Sequence, residues 1–290
     1  MRHNNGIGGW LSGLALAVIS LSSQAAEPVK IGWVKWADAE IAAKLAKVVL
    51  EKEANQPVTL QSASIGIHFQ AIANGTIDIV PMVWLPTSHG ELWANYKDKL
   101  DDLGVEYQGK VGVAVPSIVP ESEVATIDDL NKPGMKEKFG GMLLTSEAGN
   151  GQYKLGQQAI KDYNLDGWKL VASSETGMLT ELDRRLKRNE WSLINAWSPH
   201  WMFAKWPLRY LTDTKGVYGG PEEIHVVARK GFAEQNPKVA NFFRHYKLKQ
   251  NDLEKMMNDA REAGGSDAAV DKVVLDYYEA NKATFAAMLQ

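Results

Sequence analysis

The chain has 290 residues, 45% of them hydrophobic, and a formal net charge of −3 with acidic and basic side chains interspersed. That composition supplies a core for one or two domains and points to neither a nucleic acid nor a membrane surface as partner. It contains no cysteine, which excludes disulfides, thiolate metal sites, cysteine nucleophiles and lipid attachment through an N-terminal cysteine.

Residues 1–25 read as a secretory signal peptide. Arg2 precedes the apolar run Leu14-Ala15-Leu16-Ala17-Val18-Ile19, and the small-residue site Ser23-Gln24-Ala25 marks the expected cleavage point. The run is too short, and too sharply ended by polar residues, to span a bilayer. The expected location is a periplasm.

Val29 to Trp36 predicts a first strand, and Asp38 stands where a helix N-cap belongs. Ile41, Ala42, Leu45, Val48 and Val49 then give helical spacing. A strand at Val58 to Ala63, a short helix around His68 to Ala73 and a strand at Ile77 to Trp84 complete a βαβαβ unit. Such a unit predicts a parallel sheet with right-handed crossovers. Gly109 to Pro116 is a lone extended run after the acidic stretch Asp98 to Asp102, placed to carry the chain into a second lobe. A short helix from Ile127, strands at Gly140 to Thr145 and Trp168 to Ala172, and helices at Tyr153 to Tyr163 and Glu175 to Lys187 repeat the same logic. Ser192 to Ala196 is the next buried strand. Leu208 to Thr212 and Ile224 to Arg229 predict strands returning to the first lobe, and Leu253, Met256, Met257 and Ala260 form an apolar stripe on a C-terminal helix. The expected division is lobe I over 26–110, lobe II over 111–214, and a return over 215–290.

Two segments share an unusual arrangement: a strand, a tryptophan at its exit, then proline. They are Val83-Trp84-Leu85-Pro86-Thr87 and Ala196-Trp197-Ser198-Pro199-His200-Trp201. Ligands of open α/β sheets bind at the carboxyl ends of strands. Indole faces there, with no nucleophile beside them, suit a cation. Asn150-Gly151-Gln152 opens a helix whose first N–H groups and dipole favour a carboxylate. Asn150 fits a tight turn equally well. Asp38 fits both a cap and a ligand contact, and His200 and His225 fit either a donor to a ligand carboxylate or a structural role. Trp201 faces the ligand or the core. Trp33, Trp93, Trp168, Trp191 and Trp206 are assigned to packing.

Together Trp36-Ala37-Asp38, Trp84-Leu85-Pro86-Thr87, the turn at Asn150-Gly151 and Trp197-Ser198-Pro199-His200-Trp201 resemble, in order and spacing, the substrate-binding proteins of glycine betaine, choline and carnitine ABC transporters. The resemblance implies an α/β, two-lobed periplasmic-binding-protein fold (type II-like) with its ligand cleft between the lobes. It implies a cage of Trp36, Trp84 and Trp197 around a quaternary ammonium, with a membrane permease as transient docking partner. Some choline-binding relatives carry a tyrosine where this chain has Val111. A monomer without cofactor, metal or catalytic residues is expected, and glycine betaine is the first-choice ligand, ahead of choline or carnitine. An exported hydrolase or lyase using the same cleft is the reading from another class, although no nucleophile elbow, zinc motif or phosphate loop is present.

Overall fold

The computed structural model describes residues 27–289, so the expected signal peptide lies outside the described residues. Strand β1 (Val29–Trp33) leads into helix α1 (Ala37–Glu53), β2 (Val58–Ser62), α2 (Ile65–Ala73), β3 (Ile79–Leu85) and α3 (Gly90–Tyr96). As the βαβαβ pattern requires, β1 lies parallel to both β2 and β3. All seven residues of β3 are buried, as befits a strand covered on both faces.

Strand β4 (Leu100–Pro116) then runs for 17 residues. The sequence expectation caught only its second half. The acidic stretch is not a linker: Asp101 accepts hydrogen bonds from Lys230 Nζ (2.8 Å) and the Gly231 N–H (2.9 Å), and Asp102 pairs with His225 at 2.9 Å. Those partners come from the far end of the chain, so a local reading could not see the strand begin.

After a 3-10 turn at Asp128–Asn131 come α4 (Met135–Phe139), β5 (Met142–Thr145), α5 (Gly151–Asp162), β6 (Lys169–Ala172), α6 (Glu175–Lys187), β7 (Ile194–Ser198), α7 (Met202–Lys205) and β8 (Leu208–Tyr210). Here β5 lies parallel to β6 and β7. Strand β9 (Glu222–Arg229) is followed by α8 (Phe232–Gln235), α9 (Pro237–His245), α10 (Gln250–Glu262), α11 (Asp267–Ala280) and α12 (Lys282–Ala287).

The strand order is β2-β1-β3-β9-β4-β7-β5-β6, with β8 attached to β4. The first part of β4, Leu100 to Gly109, pairs antiparallel with β9, and its last part, Lys110 to Pro116, pairs with β7 and β8. One strand therefore belongs to both lobes, and the cleft lies where it passes from one sheet to the other. Strand β8 corrects the sequence reading, because it pairs with Ala114 to Pro116 and stays in the second lobe, and only β9 returns. The stripe Leu253, Met256, Met257 and Ala260 is buried as expected, where α10 packs against α1 and α11.

Candidate ligand-binding site

Trp84 and Trp197 are each the last residue but one of their strands, not past the exit, because β3 runs to Leu85 and β7 to Ser198. Each is followed after one residue by a cis X–Pro bond. Trp36 is the N-cap residue of α1 and offers no side-chain cap. The three indoles meet at one cavity between the lobes, with about 320 Å³ of atom-free space that is partly open to solvent. Val111, opposite Trp197 in the β4–β7 ladder, completes the apolar wall.

The other wall is polar but carries no aspartate, glutamate, lysine or arginine: Ser88 and His89 from the first lobe, Ser146, Asn150, Gly151 and Gln152 from the second. Asn150 is the N-cap of α5, its Oδ1 accepting the Tyr153 N–H at 2.8 Å while its Nδ2 donates to Ser146 Oγ at 2.8 Å. Tight-turn and ligand-facing roles are thus compatible. The helix starts at Gly151, two residues before the sequence expectation. The N–H groups of Gly151 and Gln152 in its first turn have no intrahelical acceptor and belong to residues lining the cavity.

His89 was not anticipated. The chain after Trp84 turns through Pro86-Thr87-Ser88 and comes back, the His89 N–H donating to the Trp84 carbonyl (2.9 Å) and His89 Nδ1 accepting the Trp84 N–H (3.0 Å). Glu222 fixes the loop by accepting the Ser88 N–H at 2.8 Å and the Ser88 hydroxyl. An accepting Nδ1 places the imidazole proton on Nε2, so His89 is a neutral donor. Its ring also stacks on Trp36, centroids 6.0 Å apart. The detectable signal was a histidine five residues after the tryptophan, beyond a proline turn.

Burial holds the His89 pKa down to about 3. In the unfolded chain it would protonate near 6.5. The unfolded state therefore binds more protons between those values, and this residue's contribution is full above pH 6.5 and declines as pH falls towards 3. Thermal melts of the ligand-free protein at pH 7.5 and 4.5 should show a smaller acid-side drop for His89→Gln than for the wild type.

Asp38, expected at the N-cap, instead sits in the first turn of α1, wholly buried and away from the cavity lining. Its Oδ2 accepts the Tyr107 hydroxyl (2.7 Å) and its Oδ1 the Trp197 indole N–H (3.2 Å). Burial raises its pKa, opposed by the Tyr107 hydrogen bond. Tyr107 in turn stands edge-on to Trp84, centroids 6.3 Å apart. The N-terminus of α1 takes its cap from the other lobe, Glu175 Oε2 accepting the Ala37 N–H at 3.0 Å.

His200 is also behind the wall. Its Nδ1 accepts the Met202 N–H (2.9 Å) and its Nε2 donates to Glu175 (3.1 Å). His225 lies on β9, paired with Asp102 and Glu223, outside the cavity lining. Trp201 packs beside Trp206 with the Arg261 guanidinium 5.4 Å from its ring centroid. Among the five tryptophans assigned to packing, Trp168 and Trp206 are buried, the other three pack on the core, and none lines the cavity. No group of three or more potential metal ligands occurs among the described residues, and none of their helices is long and apolar enough to cross a membrane.

Residues 27–280 match the family described as the substrate binding domain of ABC-type glycine betaine transport systems. A curated relative, the glycine betaine/carnitine transport binding protein GbuC of Listeria monocytogenes, is 32% identical over 143 residues. The match spans 49% of this chain and 48% of that protein. The glycine betaine, L-proline ABC transporter binding protein ProX of Borrelia burgdorferi superposes with a TM-score of 0.83 at 29% identity, covering 91% of this chain and all of that one. Lactococcal OpuAC, closed on glycine betaine, gives 0.82 at 28% identity over the same shares.

Proposed function

The chain belongs to the family of substrate-binding domains of ABC-type glycine betaine transport systems, a family of binding proteins and not of enzymes, and from that premise we propose that it captures a zwitterionic quaternary ammonium solute, glycine betaine first, for an ABC importer. The observation that carries the ligand class is the charge of the cavity lining. Three indoles form one side, neutral donors form the other, and no formally charged side chain faces the space between.

A trimethylammonium group has no N–H to donate, so ring faces and apolar contact are its handles, each cation–π contact worth roughly 0.5–2 kcal/mol. The first N–H groups of α5 and the His89 Nε2–H suit the carboxylate at the ligand's other end. A zwitterion enters such a lining with no net charge to bury. Choline would bring a net positive charge into it, and Asp38, which could otherwise accept its hydroxyl, already accepts Tyr107 and Trp197. Delivery by the predicted signal peptide would place a monomeric protein in a periplasm, where it docks transiently on a membrane permease.

Competition titration of glycine betaine against choline, at one pH and salt concentration, tests the assignment. Glycine betaine should bind at least about tenfold tighter, or 1.4 kcal/mol. The reverse order would overturn the carboxylate assignment. Failure of every solute in a quaternary ammonium panel to raise the melting temperature would overturn the function itself.

A further inference from the structure

The two cavity indoles that come from opposite sides of the cleft are held in the same way. The Trp36 Nε1–H, at the start of α1 in the first lobe, donates to Glu147 Oε2 in the second at 3.1 Å. The Trp197 Nε1–H, on β7 in the second lobe, donates to Asp38 Oδ1 in the first at 3.2 Å. Trp84 differs: its indole nitrogen is buried without a partner, and its ring is set by its own strand, by Tyr107 and by Gly109. A Cβ at 109 would come within 2.6 Å of the Trp84 ring.

We propose that Glu147 and Asp38 are positioning residues of a reciprocal latch, each lobe orienting the cage tryptophan of the other across the cleft, so that two of the three aromatic walls take their binding geometry only when the lobes are shut. This rests on the binding function proposed above. A hydrogen bond at the far edge of an indole fixes the ring's rotation about its side-chain bond, and a carboxylate as acceptor makes that bond charge-assisted. It also draws the N–H dipole towards itself and leaves the ring face more electron-rich, which strengthens attraction for a cation. Separation of the lobes returns both carboxylates and both N–H groups to water.

Two further contacts tie the latch to the same place. Glu147 Oε2 also lies 3.4 Å from Asn150 Nδ2, joining it to the α5 cap. Glu175 caps α1 one residue after Trp36 and is itself held by His200. Trp36 is thus flanked by two second-lobe carboxylates, while the ligand-facing wall stays free of charge.

Closed-state contacts act on escape of the ligand more than on its arrival. The test is stopped-flow tryptophan fluorescence with glycine betaine as the probe. Glu147→Ala should raise the dissociation rate about tenfold with the association rate within about twofold of wild type, and Glu147→Gln, which keeps an acceptor oxygen, should restore part of the loss. The ligand-free melting temperature should be unchanged. In a Trp36→Phe background, which lacks the indole N–H, Glu147→Ala should add little, the coupling that identifies a direct partner. Asp38→Asn with Trp197→Phe forms the second cycle, and the Glu147 cycle stands without it if the buried Asp38 variant does not fold. A dissociation rate unchanged in Glu147→Ala, or an equal effect with and without the Trp36 indole, overturns the latch alone. A wild type that binds no glycine betaine overturns both the latch and the function it rests on.

Discussion

Trp84→Ala and Trp197→Ala should each weaken glycine betaine binding by roughly 2–4 kcal/mol, through lost cation–π attraction and lost burial of the ligand methyl groups. Both rings line the cavity and both are buried. Neither can be replaced by a neighbour, because beyond the three indoles the apolar lining is Val111 alone. The two variants should differ in what else they disturb. Removing Trp197 leaves Asp38 Oδ1 without its indole donor in a wholly buried position, so this variant should also lose stability without ligand. The Trp84 indole has no hydrogen bond to strand, and its loss opens a cavity against Tyr107. Trp191→Ala is the control. Its ring packs on Phe139, centroids 5.3 Å apart, outside the site, so affinity should hold even where melting temperature falls. Calorimetric titration of the three variants decides it, and unchanged affinity in both cage variants would remove the aromatic cage from the account.

Trp84 and Trp197 stand out in the sequence because their context repeats, whereas Trp36 enters only through the family resemblance. A buried strand, an indole and a proline occur twice, and such a conjunction reads locally. Asn150 and Gly151 read locally too, as a helix start among glycines. What could not be read was the ring of residues that hold the cage, since each works through a partner far along the chain. Asp38 and Trp197 are 159 residues apart, Trp36 and Glu147 are 111 apart, and Glu175 caps a helix that begins 138 residues earlier. A local reading therefore offers Asp38 as a cap or a ligand contact, when the cap of α1 comes from the opposite lobe and Asp38 holds Tyr107 and Trp197. His200 belongs to the Trp197-Ser198-Pro199-His200-Trp201 segment, yet its nitrogens are engaged by Met202 and Glu175. His89 escaped notice because the loop that carries it back is fixed by Glu222, on a strand that pairs only after the second lobe is complete. Tyr107 was missed with the first half of β4, whose partners lie on the return strand.

Gly151→Ala should abolish high-affinity binding by obstructing closure, at a cost of about 100-fold or more, which is about 2.7 kcal/mol. Gly151 is the first residue of α5, and its φ does not fall in the left-handed region. Alanine can therefore adopt the same backbone, and as the better helix former it should not harm the second lobe. It also keeps the N–H offered to a ligand carboxylate. What changes is the space across the cleft: a Cβ at 151 would lie 2.7 Å from the Ser88 carbonyl carbon and closer still to its oxygen. Ser88 cannot retreat easily, because Glu222 holds its N–H and hydroxyl and also accepts the Thr87 N–H at 3.2 Å. The methyl group therefore acts against the shut arrangement and leaves each separate lobe untouched. A ligand shifts an open–closed equilibrium only by its differential affinity for the closed form, so a penalty placed on that form subtracts directly from binding. Solution scattering with saturating glycine betaine should show wild type contracting and Gly151→Ala remaining as expanded as the ligand-free protein. Equal affinity together with equal contraction in the variant would mean that the lobes can meet without the close approach of Gly151 to Ser88, and that closure is governed elsewhere.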